Sequence, residues 1–247
     1  MSKIFVTSLE EGIFQLTIDD PENQNRATHE LFQELTNALT DLAKEPTIKV
    51  LIIKGRKDVF FAGGTVDVIK EVASSNIDVK DFFLPHQVLS FPVPVIGALE
   101  GHAVGGGLFL ALCCDILIAS ESSRYGVHCT NMGFTPGMGT TSLLPALVGY
   151  SFASEMILTG KSYKGRELRD KNLFNYVVKS EEVMDIALDI ASRIAEKPRV
   201  VIEMLKETLS LPRRQLLQQA ISREHLMHKI CFSKPEIAAQ VELTYLK

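Results

Sequence analysis

Three consecutive glycines, Gly105-Gly106-Gly107, stand between two apolar runs at residues 93–99 and 108–114. Glycine has no side chain, so another segment or a ligand can approach this backbone closely. If a helix begins at Gly106 or Gly107, its first N–H groups have no intrahelical partner and lie at the positive end of the helix dipole. Such a turn can hold an oxygen on which negative charge develops. The alternative is a tight strand-to-helix turn whose glycines serve close packing alone.

The glycines do not match the common phosphate-binding loops. A Walker loop needs Lys-Ser or Lys-Thr after its last glycine, and Leu108-Phe109 follow here. The glycine spacing of a dinucleotide-binding fingerprint is absent as well.

Composition excludes several classes of function. The 247 residues are 46% hydrophobic and 23% charged, with a net charge of −4, so there is no basic footprint for nucleic acid. No apolar stretch approaches the roughly 18 residues of a membrane span, and no secretion signal begins the chain. The four cysteines lack metal-site spacing. We expect a cytoplasmic protein without a metal, a membrane segment or a nucleic-acid partner.

Periodicity predicts strands in the first half and helices in the last third. Residues 4–7 and 13–18 form a predicted hairpin, and Thr28 is a predicted N-cap with leucines at helical spacing after it. A second glycine turn, at 60–65, opens a helical segment at 66–73, and residues 124–139 have an irregular pattern. The later predicted helices are 142–148, 151–158, 165–171, 182–196, 200–209 and 213–231. We expect a core at 1–180 and a C-terminal helical region at 181–247.

Four stretches, considered together, resemble the crotonase (enoyl-CoA hydratase/isomerase) superfamily over nearly the whole chain. They are Phe60-Phe61-Ala62-Gly63-Gly64, the run from Pro94 to Gly107, Cys114-Asp115-Ile116, and Gly133-Phe134-Thr135-Pro136-Gly137. The resemblance implies an α/β fold: a spiral of strand–strand–helix units with a C-terminal helical trimerisation region. It also implies a homotrimer or a dimer of trimers.

The same resemblance implies an acyl thioester as substrate. The thioester is carried on the phosphopantetheine arm of an acyl carrier protein or of coenzyme A, so no separate cofactor is expected. The motifs place its carbonyl between the backbone N–H groups of Gly64 and Gly106, which would form an oxyanion hole for an enolate.

Two glutamates that serve the family's hydratases are absent. Their positions are held by Phe109 and Cys129, with His128 beside the second. Phenylalanine exchanges no proton, and a thiol is a poor substitute for a carboxylate that activates water. Hydration is therefore disfavoured, and the three side chains are expected to line the pocket.

A closer resemblance is to the decarboxylating crotonases of polyketide β-branching cassettes. It rests on residues 133–141, on Gly63-Gly64-Thr65 and on Glu224-His225-Leu226-Met227-His228. That resemblance implies a carbon–carbon lyase that removes CO₂ from a 3-methylglutaconyl group on an acyl carrier protein, leaving a 3-methylcrotonyl group.

The decarboxylases suggest a catalytic lysine and a catalytic histidine, which here are Lys80 and His228, with Lys70 as the alternative lysine. Lys80 would orient the substrate carboxylate or pass a proton, and His228 would bind the carboxylate or hold Lys80 in place. His225 and His228 share one helix face, but no third metal ligand is evident.

Two other functions remain open on the sequence. One is a different crotonase reaction, such as isomerisation or hydration of an enoyl-CoA. The other is a non-catalytic subunit that binds acyl thioesters.

Overall fold

Two sheets, one large and one small, carry the fold. The computed structural model describes residues 2–73 and 84–245. Its strands are β1 (Ile4–Glu10), β2 (Ile13–Ile18), β3 (Val50–Lys54), β4 (Val59–Phe61), β5 (Val95–Leu99), β6 (His102–Val104), β7 (Ile116–Ser120), β8 (Arg124–Gly126), β9 (Ser162–Lys164) and β10 (Tyr176–Val178). Its helices are α1 (His29–Leu42), α2 (Val66–Ala73), α3 (Leu84–Leu89), α4 (Gly106–Ala111), α5 (Thr140–Val148), α6 (Tyr150–Thr159), α7 (Val183–Ala195), α8 (Arg199–Phe232) and α9 (Pro235–Tyr245).

Successive strand–strand–helix units wind into a spiral. The large sheet has the order β1-β2-β3-β5-β7-β10 and the small sheet the order β4-β6-β8-β9. Each of the units β3-β4-α2, β5-β6-α4 and β7-β8-α5 gives one strand to each sheet and then a helix. All pairs are parallel except β1 with β2 and β8 with β9. The predicted α/β spiral is confirmed.

The opening hairpin and first helix form as predicted. The hydroxyl of Thr28 accepts a hydrogen bond from the N–H of Leu31 at 3.1 Å and so caps α1. The leucines at helical spacing, Leu31, Leu35, Leu39 and Leu42, are all buried.

Helix α7 covers the face of the large sheet opposite the main core. Its small residues Ala187 and Ala191 pack against strand residues such as Ile52 and Ile96. Helices α7 and α8 both pack closely on the sheets and helices before them. The division of the chain at residue 180 stays a prediction.

Helix α8 runs unbroken for 34 residues, so the prediction of two helices separated near Pro212 is wrong. It is fixed to the core on both sides of the proline. The buried ammonium of Lys206 contacts both carboxylate oxygens of Asp115 at 2.8 and 2.6 Å, and Arg213 donates to the carbonyl of Cys114 at 2.9 Å. Pro212 is exposed, so the helix carbonyl that it leaves without a donor lies near water.

Two other predicted segments differ. The predicted helix at 165–171 is a single 3-10 turn, Gly165–Leu168, and Asn172 has a left-handed φ of 58° that turns the chain away. The segment 124–139 contains β8 and a second 3-10 turn, Cys129–Met132.

Within the described ranges, no helix is long and apolar enough to cross a membrane.

Candidate active site

The two glycine turns, far apart in the sequence, touch in the fold. One follows β4 and the other joins β6 to α4. A methyl group built on Gly106 would lie 3.2 Å from the Cα of Gly63, and one built on Gly63 would lie 3.3 Å from the backbone nitrogen of Gly106. Both turns therefore border the same space.

The glycines of the triplet have different physical reasons to be glycine. Gly105 has φ 52° and ψ −125°, a conformation that side chains disfavour. A methyl group on Gly107 would lie 1.7 Å from the carbonyl oxygen of Phe61, so β4 and α4 can approach only because this residue is glycine. Gly106 is the first residue of α4, where an N–H has no intrahelical acceptor.

Gly64 is held in place by pairing with Ala27. The N–H of Ala27 donates to the carbonyl of Gly63 at 2.7 Å, and the N–H of Thr65 donates to the carbonyl of Ala27 at 3.1 Å. In such a parallel bridge the flanking residues make the bonds, so the peptide groups of Gly64 itself point away from Ala27. The role of Gly64 and Gly106 as an oxyanion hole stays a prediction.

A cavity of about 390 Å³ lies where the two turns meet. Its lining brings together the six predicted site residues that the structure describes: Gly64, Gly106, Phe109, His128, Cys129 and His228. Among the described lining residues, the polar side chains are those of Arg26, His128, Asn131 and His228. None of those lining residues is an aspartate or a glutamate.

At the two positions where the resemblance places the glutamates of hydratases, this chain has buried side chains that cannot act as a carboxylate base. Phe109 and Cys129 are buried, with 3% and 5% of their surfaces exposed. Burial raises the pKa of the Cys129 thiol to about 12. At neutral pH this cysteine is therefore a neutral, apolar side chain that cannot serve as a base.

His228 reaches the cavity from α8 and is held in one tautomer. Its Nε2 lies 2.7 Å from the carbonyl oxygen of Thr135, which can only accept, so Nε2 carries the proton and Nδ1 is an acceptor. Buried Nδ1 has no hydrogen-bond partner among the described residues. Burial, and to a lesser degree the nearby His225, lowers the pKa of His228, while its bond to Thr135 opposes this. The neutral ring packs against Phe134 and Phe232, with ring centroids 6.3 and 5.8 Å away.

His128 stands beside Cys129, and its Nε2 hydrogen-bonds the hydroxyl of Ser162. Burial lowers the pKa of His128. This side chain gives the cavity a second neutral imidazole.

Lys80 lies outside the described residues. Lys70, the alternative lysine, is on α2 and is not among the residues that line the cavity. In the described part of the chain, no group of three potential metal ligands occurs.

Arg26 and Asn131 were missed by sequence reasoning. Arg26 reaches the cavity because the adjacent Ala27 pairs with Gly64, a contact between segments far apart in the chain. Asn131 lies on the 3-10 turn after β8, where its side-chain amide donates to the carbonyl of Gly160 at 2.9 Å. Neither residue belongs to a glycine motif, so no local signal marks it.

Comparison with protein families decides the relationship. The model of the enoyl-CoA hydratase/isomerase family matches residues 8–244. The chain belongs to this family. Bacillaene synthase decarboxylase PksI of Bacillus subtilis (strain 168) is 32% identical over 244 residues, 99% of this chain and 98% of that protein. Another member, 2,3-dehydroadipyl-CoA hydratase of Escherichia coli (strain K12), is 30% identical over 226 residues, 91% of this chain and 88% of that protein.

Solved structures of the same family superpose on nearly the whole chain. One belongs to a dehydratase/decarboxylase enzyme couple involved in polyketide beta-branching, with a TM-score of 0.95, 32% identity and 99% of both chains covered. Another is the ECH2 decarboxylase domain of CurF from Lyngbya majuscula, with a TM-score of 0.90, 29% identity, and 98% of this chain and 99% of that chain covered. The crotonase fold is therefore shown, and the family's similar members include both decarboxylases and hydratases.

Proposed function

We propose that this chain is a decarboxylase of the crotonase type. Its substrate would be a 3-methylglutaconyl-type thioester and its product a 3-methylcrotonyl-type thioester, formed during polyketide β-branching. The observation that carries the proposal is the absence of any carboxylate side chain among the described lining residues of the cavity. The two decarboxylase relatives support it.

The proposed reaction breaks one carbon–carbon bond. The electron pair of the bond to the carboxylate moves through the conjugated double bond to the thioester oxygen, CO₂ leaves, and a dienolate forms. The N–H groups of Gly64 and Gly106 would hold that oxygen. A proton then returns to the carbon that lost CO₂, which restores the unsaturated thioester.

The apolar lining favours this chemistry over hydration. A carboxylate is poorly solvated beside side chains such as Phe109, Phe134 and Met138, and losing CO₂ removes the buried charge. A glutamate in place of Phe109 would repel the substrate carboxylate. Because Cys129 stays protonated, no group at that position would activate water.

Lys80 is assigned to the substrate carboxylate by resemblance, as a cation with three donors. The tautomer of His228 refines the role of the histidine. With Nε2–H committed to Thr135, neutral His228 offers only an acceptor, so it would receive a hydrogen bond from an ammonium rather than donate one to a carboxylate. We therefore favour His228 as the residue that holds Lys80.

The substrate carries its own phosphopantetheine arm, so the proposed reaction needs no metal or added cofactor. Acyl carrier protein is the proposed carrier and coenzyme A the alternative. The two are distinguished by supplying the same acyl group on each and comparing kcat/KM.

The test is the mass change of a 3-methylglutaconyl carrier protein on incubation with the enzyme. Loss of one CO₂ is expected. Gain of one water would show a hydratase. An unchanged mass with a shifted double bond would show an isomerase. Binding of the substrate without any change in it would show a non-catalytic subunit. Each of these three results contradicts the proposal.

Paired variants test the site assignment. Lys80→Ala and His228→Ala should each slow decarboxylation by at least about tenfold while thioester binding persists, because general acid–base and orienting groups contribute on this scale. The matched controls Lys70→Ala and His225→Ala should have smaller effects. Wild-type rates in both Lys80→Ala and His228→Ala would refute the assignment without touching the fold.

A further inference from the structure

Glu224 is a fully buried carboxylate that the proposed reaction does not use. Its Oε2 accepts a hydrogen bond from the N–H of Gly139 at 2.8 Å. Its Oε1 accepts from the N–H of Thr141 at 2.9 Å and from the Thr141 hydroxyl at 2.7 Å. Burial raises the pKa of Glu224, and these three bonds oppose that effect. The carboxylate thus lies at the first turn of α5, where backbone N–H groups have no helical partners.

Glu224 and His228 lie one helical turn apart on the buried face of α8. Both contact the loop that precedes α5. His228 donates to the carbonyl of Thr135, and Glu224 accepts from the N–H groups of Gly139 and Thr141. The helix therefore holds this loop, together with the first two residues of α5 (residues 135–141 in all), at two points.

The loop between these points has a strained backbone. Met138 has a left-handed φ of 59°, which is unfavourable for a residue with a side chain and persists only where surrounding contacts hold it. Its Sδ lies 3.9 Å from the position that a methyl group on Gly106 would occupy. Met138 also lines the cavity. The loop thus extends from the His228 side of the cavity to the Gly106 side.

We propose that Glu224 is a positioning residue that sets the tautomer of His228 and the place of Met138 against Gly106 by holding this loop. Its effect on turnover rests on the proposed function, whereas its effect on the His228 ring does not.

The deciding variant is Glu224→Gln. Glutamine keeps the size of the side chain but replaces one acceptor oxygen with an NH₂ group, which would face the N–H of Gly139 or of Thr141. The loop should then loosen and the Thr135 carbonyl should leave Nε2. We expect imidazole nitrogen NMR to show a single Nε2–H tautomer for His228 in the wild type and a mixture of tautomers in Glu224→Gln. His228→Asn identifies the signal by removing it.

Glu34→Gln is the matched control. Glu34 also accepts three hydrogen bonds, from the N–H groups of Lys3 and Ile4 at 2.8 and 3.3 Å and from the hydroxyl of Ser2 at 3.0 Å. It lies on α1 and is not among the residues lining the cavity. This variant should leave the His228 signals unchanged.

Kinetics give the second readout. Glu224→Gln should lower kcat for the 3-methylglutaconyl thioester by about tenfold with little change in KM, because a misplaced group affects the transition state more than binding. Thr141→Val removes one of the three bonds and keeps both backbone donors, so it should shift the His228 signals in the same direction but less.

A folded Glu224→Gln protein in which His228 keeps one tautomer overturns the proposal. If Glu224→Gln does not fold, Thr141→Val decides, and wild-type His228 signals in that variant overturn it. If the wild type shows no decarboxylation, the proposed function fails while the NMR comparison still tests the role of Glu224.

Discussion

The three glycines of the triplet differ in whether the fold or the candidate site accounts for them. Gly107 is required by the carbonyl of Phe61, and Gly105 by its backbone conformation. Gly106 differs from both because it is the first residue of α4, and like Gly105 it borders the cavity. The two interpretations of the triplet, tight packing and a turn that can stabilise an oxyanion, therefore apply to different glycines.

We predict that Gly106→Pro folds but loses activity. Proline suits the first position of a helix, where its missing N–H breaks no helix hydrogen bond, so the thioester oxygen would lose one donor. Loss of one such donor typically lowers the rate by about 10²–10³. Turnover of the 3-methylglutaconyl thioester, with circular dichroism as the check on folding, measures this.

Gly106→Ala is the matched control for the lost donor. It keeps the N–H and adds one methyl group 3.2 Å from the Cα of Gly63, so it should retain far more activity than the proline variant. Equal activity in a folded Gly106→Pro protein and in Gly106→Ala would exclude Gly106 as an oxyanion donor.

Buried His228 predicts a pH dependence of stability. Burial lowers its pKa below 6.5 in the folded state, so below that pH the unfolded chain binds more protons than the folded chain. This contribution to the free energy of unfolding is complete above pH 6.5 and is lost as the pH falls toward the folded-state pKa. We expect the free energy of unfolding, measured by urea denaturation, to differ less between about pH 5.5 and about pH 7.5 in His228→Gln than in the wild type.

The matched control is His86→Gln, at an exposed position on α3. It should leave the difference between the two pH values unchanged. If the free energy of unfolding of His228→Gln differs between the two pH values as much as that of the wild type, the neutral imidazole does not contribute to the pH dependence of stability.

At the scale of elements, strongly patterned segments could be predicted and short ones could not. The leucine spacing of α1 and the two strands of the opening hairpin are local signals, and those elements formed as expected. Strands β4, β6, β8 and β9 have only three residues each, too few for a period to be recognised. Their pairing with one another in the small sheet, rather than their sequences, defines them.

The continuity of α8 depends on tertiary contacts. Local rules end a helix near Pro212, but Lys206 and Arg213 bind to the segment around Asp115 from both sides of the proline. The same limit applies to the candidate site. Its glycine turns and His228 could be predicted from motifs, whereas Arg26 and Asn131 reach the cavity through contacts between distant segments.

At the scale of the whole molecule, α8 presents an apolar surface to solvent. The exposed side chains follow helical spacing over its first half: Val200, Val201, Met204, Leu205, Leu209 and Leu211. Met204 and Leu209 are 67% and 70% exposed. Contiguous apolar patches of this kind are typical of surfaces that another protein covers.

We predict that this surface joins copies of the chain into a homotrimer or a dimer of trimers. Light scattering at micromolar concentration should give three or six times the chain mass of 27.4 kDa. The double variant Leu205→Glu/Leu209→Glu should reduce the assembled mass, because the unfavourable free energy of burying two carboxylates exceeds the favourable free energy of the contact. The control is Phe5→Glu, which places a charge on the exposed edge strand β1 and should leave the assembled mass unchanged. A wild-type protein of 27.4 kDa in solution, or a double variant that keeps its full mass, would contradict this assembly.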